Sequence, residues 1–183
     1  GDFKVLGMNI THKGQDIFLS QVDYINNKLK YLDQLMPEGV TLNTPVSEEV
    51  RKLIYQIIGM IRWICDLTHP ELCYDNLEAS IKQRNATWKD VKKINKMVKQ
   101  AFAENYWIRY TKIRGSRWFL TVFVDASLGG LPGKCDSAYG YVIFLSEGFN
   151  PTERRTANVI DWHCGKIDRV TTSTYEAESI ALR

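Results

Sequence analysis

The sequence predicts an α+β chain: a β-hairpin and a helical region, then a three-stranded antiparallel meander and the start of a further helix. Three observations carry this. Apolar segments flank a turn-rich HKGQD near the start. Apolar residues recur at helical spacing between residues 47 and 102. Three strand-like runs follow residue 114 with short turns between them. A domain boundary is expected close to residue 115, dividing 1–114 from 115–183.

Residues 3–20, FKVLGMNITHKGQDIFLS, read as the hairpin, with Gly14 at a turn position that suits positive φ. Ser20 is expected to cap the helix QVDYINNKLKYL, with Asp23 three residues on and Val22, Ile25, Leu29 and Leu32 on one face. Pro37, Gly39 and Pro45 punctuate the loop that follows. The next helix is expected from Ser47, where Glu48 and Glu49 complement the dipole of the first turn. Val50, Leu53, Ile54, Ile57, Ile58, Ile61 and Ile64 form its apolar stripe. Pro70 stands where a helix start tolerates proline and opens ELCYDNLEASI.

Thr87 with Asp90 is expected to cap WKDVKKINKMVKQAF. Trp88, Val91, Ile94, Val98, Ala101 and Phe102 face inward on it, and Lys89, Lys92, Lys93, Lys96 and Lys99 occupy much of the remaining circumference. RGSR, residues 114–117, marks the change to β: WFLTVFVDAS, then YGYVIFLSEG, then NVIDWHCGK. The first of these is nearly continuously apolar, as expected of a central strand covered on both faces. RVTTSTYEAESIALR ends the chain, with Ser173 and Glu176 in capping-box spacing. The chain starts without Met inside a strand-like segment and stops on the second turn of this helix. Both ends look cut, and a piece of a longer protein is expected.

Apolar content of 44% and charged content of 25% are ordinary for a globular chain. No apolar run approaches the roughly 20 residues that span a bilayer, so no membrane partner is expected. Four scattered cysteines without a C-x-x-C pair suit a reduced, intracellular setting. The charge is unevenly spread. Residues 82–117 hold eleven Lys and Arg against Asp90 and Glu104, a net +9 that leaves the remainder at −6 in a chain of +3. Such a stretch suits a polyanionic partner or, equally, a solvated helix face. Arg114 and Arg117 join the five lysines as candidate nucleic-acid contacts.

Asp125 directly follows LTVFV at the end of the expected central strand, where a carboxylate is costly unless paired, hydrogen-bonded or metal-bound. Glu178 lies on the first turns of the last helix. A strand-end Asp and a helix Glu separated by a meander are able to converge on Mg²⁺, which takes few carboxylates and lets substrate phosphate complete its shell. The alternative is that Asp125 starts a turn with Ser127 and Gly129, while Glu176 and Glu178 only complement the helix dipole. Spacing leaves both open.

Other signals are weaker. His12 and His69 are isolated and His163 adjoins Cys164, so no zinc-ligand spacing exists and no zinc is expected. Cys65 and Cys73 read as core or helix-face residues. Asp136, Asp161 and Asp168 suit turns and solvent better than metal. Tyr106, Trp107 and Tyr110 beside Arg109 suit base stacking or a core, with the core favoured.

VFVDASLGGLPGKCDSAYGYVIFLSEG, VIDWHCGKIDRV and STYEAESIAL resemble, in order, the opening of the ribonuclease H domain of copia-type retrotransposon polyproteins. That family has an Asp-bearing strand, a G-Y-[VI] strand, an I-x-W strand and a helix with an S-T-x-x-A-E signature. VLGMNI and IFLSQVDYI resemble the primer-grip hairpin that follows its polymerase palm. IIGMIRWICDLTHPELCYD resembles its thumb-and-connection motif. The resemblance covers essentially the whole chain; each motif is weak and their order is the strong feature.

It implies a partial ribonuclease H-like fold over 115–183 and a primer-grip, thumb and connection region over 1–114. It assigns Asp125 and Glu178 as catalytic, Mg²⁺-holding carboxylates, with two further carboxylates beyond this sequence. The polymerase's Y-x-D-D is absent. The implied substrate is an RNA–DNA hybrid, or RNA, whose RNA strand the intact protein would cut. The alternative is a domesticated, inactive fragment acting as a structural or binding subunit of a larger protein or ribonucleoprotein assembly.

Overall fold

The computed structural model describes residues 1–32, 35–103, 107–115, 117–132, 136–148 and 156–182. Glu104 and Tyr106, both weighed above, and the cysteine Cys135 lie outside the described residues. The chain is mixed α and β, with antiparallel sheets of four and three strands and five α-helices among the described residues. It forms two compact units, one of Gln21–Tyr106 and one joining Gly1–Ser20 to Trp107–Arg183. The N-terminal hairpin thus shares a unit with the C-terminal strands, because a short strand after the helical region pairs with it.

In the helical unit, α1 (Val22–Lys28) is shorter than its sequence pattern. Gln21 rather than Ser20 is its N-cap and makes no side-chain capping bond. Leu29 and Leu32 lie beyond its end yet are buried. The 18 residues of α2 (Glu48–Cys65) begin as expected, with Ser47 accepting from the Val50 amide at 3.4 Å. Val50, Ile54, Ile57, Ile58, Ile61 and Ile64 are buried on it, but Leu53 is exposed. At about 100° per residue Leu53 falls on the flank of the stripe, roughly 80° from its centre.

Pro70 opens a single 3-10 turn, Pro70–Leu72, that leads directly into α3 (Cys73–Lys82). On α4 (Trp88–Ala103), Trp88, Val91, Ile94, Met97, Val98 and Ala101 form the apolar core face. Asp90 accepts from both the Thr87 amide, at 2.9 Å, and the Thr87 hydroxyl, at 2.8 Å. Asn95 is buried within this face, where its Oδ1 accepts from the Leu32 amide at 2.9 Å and satisfies a backbone donor.

In the other unit, the expected two-stranded hairpin is three strands: β1 (Asp2–Val5), β2 (Met8–Lys13) and β3 (Asp16–Ser20). Leu6 and Gly7 both take positive φ in the first turn, the conformation that matches the twist of a two-residue hairpin. Gly14 has φ +64° in the second turn, as its position suggests. Strand β4 (Ile108–Tyr110) completes the sheet in the order β1-β2-β3-β4.

The meander is β5 (Trp118–Ser127), β6 (Ala138–Glu147) and β7 (Ala157–Lys166), antiparallel and in that order, with α5 (Thr174–Ala181) packed on β5 and β6. Ser173 accepts from the Glu176 amide at 3.2 Å, while the Glu176 carboxylate accepts from Thr172 instead of closing the box on Ser173. One expectation is overturned. The central strand is β6, and β5 is an edge strand with Trp118 66%, Leu120 65% and Phe123 59% exposed. A continuous apolar run records hydrophobicity without recording which neighbours supply the cover.

Candidate nucleic-acid interface and carboxylate site

The basic face of α4 is set by its apolar one. Once Trp88, Val91, Ile94 and Val98 are buried, the 3.6-residue repeat leaves Lys89, Lys92, Lys93, Lys96 and Lys99 exposed. They are not equivalent. Lys93 Nζ lies 2.9 Å from Glu78 Oε1 on α3, and the same oxygen accepts from Lys82 at 2.7 Å. These two ammonium groups, Lys82 first, hold the Glu78 carboxyl below its ordinary range, and Glu78 in turn raises Lys93. Lys89, Lys92, Lys96 and Lys99 form no ion pair among the described residues. They run along about 15 Å of helix within an arc of about 80°, a row suited to successive phosphates. Glu78 is the residue the sequence reading missed. Its i,i+4 spacing to Lys82 was visible, but its pairing with Lys93 depends on how α3 meets α4.

In the sheet unit the arginines divide likewise. Arg109 donates to Asp16 Oδ2 from Nε at 3.0 Å and from Nη2 at 2.6 Å, with its guanidinium 5.9 Å from the Phe18 ring centre. Trp107 meets Phe18 edge-on at 6.5 Å and is half-exposed rather than core. Arg114 reaches Gln15 Oε1 at 3.3 Å, and its amide donates to Glu147. Arg117 is exposed and without an ion pair among the described residues.

Asp125 sits opposite Gly140, two residues before the end of β5. The strand continues to Ser127, and the turn falls at Leu128 and Gly129, so Asp125 does not start it. Its side chain is exposed, and the cost of burying a carboxylate does not arise there. Glu178 lies on α5, partly buried, one residue after the fully buried Ala177. Neither carboxylate is committed to a side-chain hydrogen bond or ion pair among the described residues.

A cavity of about 760 Å³ opens between β5, β6 and the last turn of α5, walled by Val122, Val124, Tyr139, Tyr141, Ile143 and Ile180 among others. Neither carboxylate lines it. Since side chains alternate along a strand, Asp125 projects from the face opposite Val122 and Val124. On the cavity face, the His163 ring lies 5.7 Å from Tyr139 and 6.0 Å from Tyr141. Gly165 leaves room for them, because a Cβ there would come within 2.8 Å of the Tyr139 ring. The remaining acids have other roles: Asp136 pairs with Lys166 at 2.7 Å, Asp161 accepts from Tyr141 at 3.0 Å, and Asp168 is exposed in a bend.

Asp125 and Glu178 are of the chemical type Mg²⁺ takes, and their oxygens are uncommitted. A site with one or two protein carboxylates relies on water and substrate oxygens for the rest. No group of three His, Cys, Asp or Glu side chains able to hold a metal occurs among the described residues. No described helix is long and apolar enough to cross a membrane. In comparisons with protein-family models, curated proteins and solved structures, no match to this chain was found.

Proposed function

We propose that the chain binds RNA–DNA hybrid, or RNA, through the phosphate backbone. In this reading it represents the connection region and the first half of a ribonuclease H-like site of a copia-type reverse transcriptase. The observation that carries the binding is the row of exposed, unpaired lysines Lys89, Lys92, Lys96 and Lys99 on α4. Ammonium groups on flexible stems contact phosphates without reading bases, so the binding is sequence-tolerant and salt-sensitive. Arg117 adds a cation on the sheet unit, and Arg114 a second that is already engaged with Gln15.

The ordered resemblance adds the chemistry. Asp125 and Glu178 would supply carboxylate oxygens to Mg²⁺. When bound, the ion neutralises charge on a phosphate under attack. The residues' own contribution is to keep their oxygens uncommitted until metal and substrate arrive together.

A second reading has its own support. The lysine row on α4 needs no carboxylate chemistry to hold phosphates, so binding without cleavage also fits. Fluorescence anisotropy with a labelled hybrid, titrated at several salt concentrations, tests the binding that both readings share. Affinity that ignores salt, or no affinity at low salt, refutes it. Mg²⁺-dependent cutting of the RNA strand separates the two readings.

A further inference from the structure

Strand β5 has β6 on one side and no strand on the other among the described residues. An open edge offers a row of amide and carbonyl groups to any incoming strand. Proteins blunt such edges with lysine, proline, bulges or short strands. None of these guards β5. It runs ten residues, WFLTVFVDAS, with one charge and neither proline nor glycine, and its register with β6 is unbroken. Trp118, Leu120, Val122 and Phe123 are each more than half exposed on it.

The order of residues says what fits this edge. Alternation, continued one residue before the strand, puts Arg117, Phe119, Thr121, Phe123 and Asp125 on one face. That face reads cation, aromatic, threonine, aromatic, anion, and is complementary to its own reverse. When a second copy of β5 lies antiparallel with Thr121 opposite Thr121, Arg117 faces Asp125 and Phe119 faces Phe123. On the other face Trp118 meets Val124 and Leu120 meets Val122. Aromatic, threonine and opposite-charge pairs are combinations that stabilise antiparallel strands. Moving the second copy by two residues sets Asp125 against Phe119 or Gly115, so the charges fix the register. Arg117 and Asp125 are both exposed and without an ion pair among the described residues. Helix α5 packs over Val122 and Val124, which leaves the charged face clear. We propose that two copies of this chain pair antiparallel through β5, about a two-fold axis at Thr121, into one sheet with three strands from each copy. The axis duplicates every pair, so Arg117 of each copy holds Asp125 of the other. Pairing and Mg²⁺ are then alternative uses of that carboxylate.

Pairing needs no nucleic acid and is tested without it. Sedimentation velocity of the folded chain, free of Mg²⁺, is run over two decades of concentration from micromolar upward. The expected result is a 21.1 kDa species giving way to one of twice that mass. Arg117→Asp and Asp125→Arg each place two like-charge pairs across the axis and should raise the midpoint at least about tenfold. An equimolar mixture of the two variants restores both opposite-charge pairs in the heterodimer and should associate near the wild-type midpoint. So should the double variant carrying both changes. Circular dichroism verifies that each variant is folded, which the exposure of both positions permits. A monomer at every concentration would overturn the proposal and leave the edge to a different strand. So would a midpoint that neither single variant moves, a mixture no tighter than its separate components, or open-ended aggregation.

Discussion

If α4 tracks phosphates, Lys92→Ala and Lys93→Ala should differ although the two residues are adjacent and both exposed. Each uncommitted cation that neutralises a phosphate contributes about 0.9 to the slope of log K against log salt. Lys89, Lys92, Lys96 and Lys99 together give about 3.6, so raising salt from about 50 to 200 mM costs about 150-fold in affinity. Lys92→Ala removes one contact, lowering the slope to about 2.7 and the loss to about 40-fold. Lys93→Ala should leave the slope near 3.6, because Glu78 already neutralises that ammonium at 2.9 Å. Glu78→Gln should do the opposite, freeing Lys93 and Lys82 to tighten binding and steepen the slope. The assay is anisotropy with a fluorescein-labelled hybrid across that salt range. Equal slopes for the two alanine variants, or weaker binding by Glu78→Gln, would refute the division between paired and unpaired lysines.

The Glu78 cluster should also leave a signature in stability. Its carboxyl is held below the ordinary value of 4.5, so its contribution is complete above that pH and is lost as pH falls through the lower folded value. Urea melts of wild type and Glu78→Gln should therefore differ at neutral pH and converge as acid protonates the carboxyl; a gap of the same size at neutral pH and in strong acid excludes the ion pairs as its cause. Ile61→Ala, at a position with no exposure, should cost about 2–5 kcal/mol of unfolding free energy, and a loss under about 1 kcal/mol would contradict the packing of α2. Asp125→Asn should change stability by no more than about 0.5 kcal/mol, since the side chain is exposed and unpaired among the described residues. The 183-residue chain should show no Mg²⁺-dependent cleavage of an RNA–DNA hybrid, and robust cutting would show that Asp125 and Glu178 suffice.

Helix faces were legible because the helical repeat is local. The buried row from Val50 to Ile64 and the wet row from Lys89 to Lys99 both follow from the order of apolar and charged residues along one element. What the sequence left out is non-local or brief. The Leu6–Gly7 turn is a dipeptide with one weak signal, so β1 merged with β2 in the reading. Strand β4 is three residues long and finds β3 across some ninety positions of chain, which no pattern within either segment encodes. The charge excess between residues 82 and 117 was legible as a sum, while its neutralisation was not. Arg109 is matched by Asp16 and Lys93 by Glu78, partners chosen by packing.

Asp125 shows why the carboxylates are harder to read than the lysines. Its promise in the sequence came from one premise, that an apolar run marks a covered strand in which an acid must be compensated. The edge position of β5 removes that premise, because a hydrated carboxylate needs no partner. What remains is chemical and positional. Asp125 stands near the end of a strand, Glu178 stands on the helix packed against that strand, and both keep their oxygens available. Availability is also what a metal ligand requires, so the lack of partners that weakens the sequence argument is compatible with the proposed role. The two cases separate by response to the ion. An acid that only faces water gives no saturable change on adding Mg²⁺. A ligand shifts its carboxylate resonance with a midpoint that moves to lower Mg²⁺ when hybrid is present, since substrate oxygens complete the shell. Asp125→Asn should abolish that shift while leaving the salt slope set by α4 unchanged.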